Sequence, residues 1–260
     1  MPPTWVQLTY LACAVCFILS LKGLAGPKTA RAGNLLGAAA AVVAVAVPFF
    51  YLELDHVPLI LAAIAVGSAG GVFGAQKVQM TQMPQMVALF NGVGGGAASL
   101  VALLELHEMV PHADSAFGPG WFTFAATAFT ILVGAVSFSG SVVTFAKLQE
   151  LMTSRPVVFP GLPVVFGALL LASVALSVLT VTDPSMWVGI VLALLGLAVG
   201  VLLVLPVGGA DVPIVIALLN AFTGLTVAAG GYVLGNVVLL VAGTLVGSAG
   251  TFLTMLMAGA

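Results

Sequence analysis

Apolar runs of near-uniform length follow one another along this chain with only short polar breaks between them. Nine can be placed, near 4–24, 34–53, 57–75, 84–106, 120–150, 163–181, 186–205, 212–233 and 236–257. A helix rises about 1.5 Å per residue, so roughly 20 residues cross a ~30 Å hydrocarbon core. Inside that core backbone polar groups find no water, and a lone segment can satisfy them only by forming a helix. The expected fold is all-α: a polytopic integral membrane bundle of nine transmembrane helices, with residues 1–260 as one transmembrane domain. The composition agrees. The chain is 62% hydrophobic and 5% charged, with a mean hydropathy of +1.27, which excludes a soluble domain. Met1-Pro2-Pro3 leads into the first run without a basic stretch, so that run is expected to stay as a helix rather than act as a cleaved leader. The fifth run is too long for the core and is expected to tilt, or to project into the cytoplasm around Lys147 and Glu150.

Charge predicts the orientation. The six basic residues are Lys22, Lys28, Arg31, Lys77, Lys147 and Arg155. They follow the first, third and fifth runs and so share one side of a nine-helix bundle; eight or ten helices would break the pattern. The opposite loops hold Glu53, Asp55, Glu105, Glu108, Asp114 and Asp183, together with His56, His107 and His112. Basic loops favour the cytoplasm, which places the N-terminus outside and the C-terminus inside. A net charge of −2 and the lack of a basic patch leave no footing for a nucleic acid.

One pattern occurs twice. Pro213 to Asn220 and Pro84 to Asn91 share P-x-x-x-A-L-x-N, and Gly224 and Gly95 extend the match. Each asparagine lies seven residues into its helix, roughly 10 Å below the surface by helical rise. A buried amide at that depth costs several kcal/mol, on the order of a lost hydrogen bond or more, unless it finds a partner. Ser141 lies six residues before Lys147 on a helix running the other way, about 9 Å in by the same rise. Asn91, Ser141 and Asn220 are therefore expected to form a polar layer, with Ser139 and Thr223 beside it. Such a layer can line a proton path or simply hold helices together. None of these groups titrates near neutral pH. Asp211 stands just before Pro213 and is placed to cap the helix that follows.

The remaining features read as packing. Gly95, Gly224, Gly243 and Gly247 would let helix backbones approach closely. Cys13 and Cys16 form a C-x-x-C inside an apolar run with no further cysteine, and no metal site is expected. Gly92-Val93-Gly94 lacks the strand and acidic residue of a dinucleotide fingerprint.

Four stretches also carry a resemblance. They are Gly208-Gly209-Ala210-Asp211-Val212-Pro213 leading to Asn220 and Gly224; Met80-Thr81 with Met83-Pro84 leading to Asn91; Phe138-Ser139-Gly140-Ser141-Val142-Val143 with Phe145 and Lys147; and Val246-Gly247-Ser248-Ala249-Gly250. Together they resemble the membrane domain (domain II) of the beta subunit of proton-translocating nicotinamide nucleotide transhydrogenase. The resemblance implies an enzyme of the inner (plasma) membrane that moves hydride between NAD(H) and NADP(H) while protons cross. It implies that this chain binds neither cofactor itself. NAD(H) and NADP(H) would sit in partner domains: an alpha-side subunit with membrane helices and an NAD(H)-binding domain, and an NADP(H)-binding domain expected after residue 260. A homodimer of the whole complex is implied too. Asp211 and Gly250 would couple the membrane to the nucleotide domain. Some family members have histidine at the position of Asn91; with asparagine there, the resemblance implies a titrating group on a partner helix. Two other readings stay open on the residues alone: a secondary transporter built on the repeated helix, and a structural anchor.

Overall fold

The computed structural model describes residues 2–113, 115 and 118–259; Asp114, assigned above to an outer loop, lies outside the described residues. Regular structure among them is entirely helical. Nine helical spans among the described residues are long and apolar enough to cross a membrane. The chain divides into two compact units, one up to Met83 and one from Pro84.

In the first unit, α1 (Thr4–Leu24) and α2 (Ala30–Ala46) form a tight hairpin. A side chain at Gly33 would strike the backbone of Ser20 and Gly23. The Ser20 hydroxyl donates across the gap to the Gly33 carbonyl at 2.8 Å. The second span starts at Ala30, four residues before the sequence expectation, and breaks at Val47. Pro48 has no N–H to give to Ala44, so the helix resumes as the single turn α3 (Pro48–Tyr51). Next, α4 (Val57–Lys77) begins after His56, whose φ is 58°.

The second unit holds α5 (Met83–Met109), α6 (Trp121–Leu148), α7 (Leu162–Thr182), α8 (Met186–Val204), α9 (Val212–Val233) and α10 (Val237–Ala258). Its central element is α6, which packs against α7, α8 and α9 and meets α5 at glycines. One apolar cluster joins α5, α6 and α8 through Leu106, Ile131 and Leu192. Another joins α8 and α9 through Val204, Val215 and Leu219.

The two repeated helices start alike. A single 3-10 turn, Met80–Gln82 or Gly209–Asp211, runs directly into α5 or α9, and the proline follows one residue later. The end of α6 corrects an expectation. Lys147 does not project into solvent: it is 1% exposed. The helix closes at Leu148 with Glu150 left-handed at φ 57°. The amides of Glu150 and Leu151 then bond back to the carbonyls of Lys147 and Ala146, which satisfies the last carbonyls of the helix.

Candidate functional site

In hydrocarbon a hydroxyl without a partner is costly, and the cheapest partner is the carbonyl one turn back on its own helix. Thr127, Thr130, Thr144, Thr180 and Thr226 all take that route. A hydroxyl that crosses to another helix therefore stands out. Ser137 is one: fully buried, it donates from α6 to the Leu219 carbonyl of α9 at 2.9 Å.

Ser137 is the middle of a network. Asn91 on α5 donates through Nδ2 to Ser141 Oγ at 2.9 Å and to Ser137 Oγ at 3.3 Å. Thr223 on α9 bonds the Ser137 hydroxyl as well. A serine has one proton to give and two lone pairs. With that proton on Leu219, Ser137 accepts from both Asn91 and Thr223, and every bond in the set has a consistent direction. Three helices thus meet in one hydrogen-bonded string, Ser141–Asn91–Ser137–Thr223.

Glycines make the meeting possible. A Cβ at Gly92 would lie 3.0 Å from Ser141 Cβ, and one at Gly95 would lie 3.0 Å from Ser137 Cβ. The backbones of α5 and α6 must be this close for a short asparagine to reach two serines. Ser99 donates to the Ile131 carbonyl at 2.9 Å and extends the same polar seam by two turns.

The structure sorts the residues expected from sequence. Asn91, Ser141 and Thr223 come together. Asn220 does not join them: it is half-buried and makes no side-chain hydrogen bond among the described residues. The contribution of α9 comes instead from Leu219 and Thr223, one residue before Asn220 and three after. Ser139 bonds back to the Ala135 carbonyl at 3.1 Å and packs against Gly200 of α8, on the other side of α6. Asp211 is exposed and makes no capping bond; its φ and ψ of −92° and −3° are helical, whereas a capping side chain needs an extended backbone to turn back on the helix. Gly224, Gly243, Gly247 and Gly250 form one seam between α9 and α10. A methyl at Gly224 would overlap the backbone of Gly247, and one at Gly250 would sit 2.9 Å from the Ala221 nitrogen. Gly95 belongs to the α5–α6 seam.

Ser137 was not singled out by sequence reasoning, although a signal was there. Gly134, Ser137, Ser141 and Thr144 follow a three-four-three spacing along one helix face, and Ser139 falls outside that stripe. Past Thr223 the seam widens into a cavity of about 230 Å³ lined by Gly94, Val101 and Glu105 of α5, Thr130 of α6, and Thr226 and Gly230 of α9. Thr130 and Thr226 spend their protons on their own helices. The exposed His107 and His112 stand apart from the hydrogen-bonded string. No cluster of His, Cys, Asp and Glu among the described residues is arranged to hold a metal.

The family model described as NAD(P) transhydrogenase beta subunit matches residues 6–260. The NAD(P) transhydrogenase subunit beta of Rhodospirillum rubrum is 39% identical over 251 residues, covering 95% of this chain and 54% of that protein. The chain thus spans about half the length of the curated relatives it matches.

Proposed function

The chain belongs to the NAD(P) transhydrogenase beta subunit family, and from that premise we propose that it is the proton-conducting membrane part of a transhydrogenase. Proton transfer through it would be coupled to hydride transfer between NAD(H) and NADP(H) held in partner domains. The observation that carries this reading is the Ser141–Asn91–Ser137–Thr223 string. It lies in the interior of a membrane bundle and joins three helices, two of which carry the repeated motif. Its hydroxyls and amide can pass hydrogen bonds but do not titrate near neutral pH. The proton-binding group would therefore come from outside the string. A helix of an alpha-side subunit is the source that fits asparagine at position 91.

Asn220, Ser139 and Thr223 remain proposed members of the path with Asn91 and Ser141. A path through Asn220 would need water or a partner group to meet its unengaged amide. The cavity beyond Thr223 would serve as the continuation. Its lining is mostly apolar apart from Glu105, Thr130 and Thr226, so protons would pass only when it is wetted or filled by a partner. That is how a coupled device should behave, since a permanently wet path would leak. Asp211 and Gly250 are proposed to link the bundle to the NADP(H)-binding domain. Basic residues at the ends of α1, α4 and α6 or just beyond them, Lys22, Lys28, Arg31, Lys77 and Arg155, support a cytoplasmic face there and an outer N-terminus, and a plasma (inner) membrane location fits the family. The assembly would include the alpha-side subunit and form a homodimer.

The test uses vesicles holding this chain with its partner subunits, with internal pH followed while hydride passes from NADPH to an NAD analogue. Asn91→Leu and Ser137→Ala are expected to cut nucleotide-driven proton movement at least tenfold while the complex still assembles. Unchanged pumping in both would overturn the path; no pumping in wild type would overturn the family role.

A further inference from the structure

A buried ammonium must find compensation, and Lys147 finds it in an unusual place. At 1% exposure, its Nζ donates to the carbonyls of Val204 at 3.0 Å, Leu205 at 2.6 Å and Val207 at 2.7 Å. An ammonium has three protons, so its donor capacity is filled. The acceptors are carbonyls at the C-terminal end of α8 and just beyond it, two of which also take a backbone amide, Val204 from Val207 and Leu205 from Val157. Each keeps a lone pair for the ammonium, and the helix dipole favours a positive charge there.

Those carbonyls belong to the segment that turns into Gly208–Asp211 and then α9. The same segment is held from its other side. The Val157 amide donates to the Leu205 carbonyl at 2.9 Å, and a Cβ at Gly208 would meet the Pro156 ring at 3.3 Å. The residue after Lys147 ties down the other repeated helix. Gln85, in the first turn of α5, donates to the Leu148 carbonyl at 3.2 Å. One turn at the end of α6 therefore fastens the start of α5 and the segment that leads into α9. Six and ten residues back along α6 lie Ser141 and Ser137, roughly 9 and 15 Å away by helical rise.

We propose that Lys147 is a positioning residue for coupling: it staples the segment leading into the Asp211 turn to α6, so that a displacement of that segment is passed along α6 to the Ser137–Ser141 hydrogen bonds. This rests on the transhydrogenase reading. A lysine suits the place because its ammonium is compact and directs donors to three separate carbonyls, whereas the planar fork of arginine is larger and matches paired oxygens.

The experiment compares wild type, Lys147→Met and Lys147→Gln in the complete complex in vesicles. Protons moved per hydride are measured, together with amide hydrogen exchange over residues 205–211. Methionine keeps an apolar stem and removes all three bonds. Protons per hydride are expected to fall at least tenfold, with exchange in 205–211 at least tenfold faster. Glutamine retains an amide donor and should fall between methionine and wild type, and it serves if the methionine variant does not assemble. Wild-type stoichiometry in any assembled variant overturns the proposal. So does pumping lost only in proportion to lost complex, with exchange in 205–211 unchanged, since that is what a merely structural residue gives. A wild-type complex that moves no protons overturns the transhydrogenase reading, and this proposal with it.

Discussion

Asp211 and Asn236 stand before successive helices and look interchangeable as caps, yet their backbones separate them. Asn236 has φ −100° and ψ 103°, and its Oδ1 accepts from the amides of Val238 and Leu239 at 3.1 and 3.2 Å. Asp211 has a helical backbone and no capping bond. Asn236→Ala is therefore expected to cost about 1 kcal/mol of stability, read as a lower unfolding temperature in detergent. Asp211→Asn is expected to leave that temperature unchanged and to lower nucleotide-driven proton movement, which separates a surface coupling role from a cap. The same logic divides the serines of α6. Ser139 bonds its own helix, and Ser137, two residues away, reaches α9.

At the scale of elements, glycine decides which helices can touch. Between α9 and α10, Gly224 meets Gly247, Ala228 meets Gly243, and Ala221 meets Gly250. In lipid there is little hydrophobic gain from pairing helices, so close backbone packing has to hold them. Gly224→Val would drive two methyls into the Gly247 backbone. It is expected to destabilise the unit by about 1–3 kcal/mol, the usual range for overpacking, measured as loss of folded protein on heating in detergent. By contrast, a Cβ at Gly67, Gly70 or Gly71 of α4 meets nothing within 4 Å, so Gly70→Ala should not lower the unfolding temperature in the same assay and, through the helix propensity of alanine, should raise it slightly. The α5–α6 seam follows the α9–α10 rule with one addition: the approach at Gly92 and Gly95 brings Asn91 within hydrogen-bonding reach of Ser137 and Ser141.

At the scale of the whole molecule, the proposed orientation puts Glu108 on the outer side and Arg155 on the cytoplasmic side. In a Cys13→Ala, Cys16→Ala background, Glu108→Cys is expected to react with a membrane-impermeant maleimide added to intact cells, and Arg155→Cys only after the cells are opened. The reverse pattern would invert the orientation proposed here. The sequence by itself determined the class of fold and the extent of most helices, because a ~30 Å apolar solvent demands runs of about 20 apolar residues wherever a chain crosses it. It also placed Asn91 and Ser141 at one depth, since helical rise is constant, and the 2.9 Å bond between them agrees. Rotation about each helix axis was not legible in the same way. Depth follows from counting residues, but azimuth depends on which faces neighbouring helices present, and nearly every face here is apolar. For that reason tertiary structure alone brought Thr223 rather than Asn220 into the string, turned Ser139 towards α8, left Asp211 uncapping, and folded Lys147 inward onto the end of α8, where three carbonyls compensate its charge.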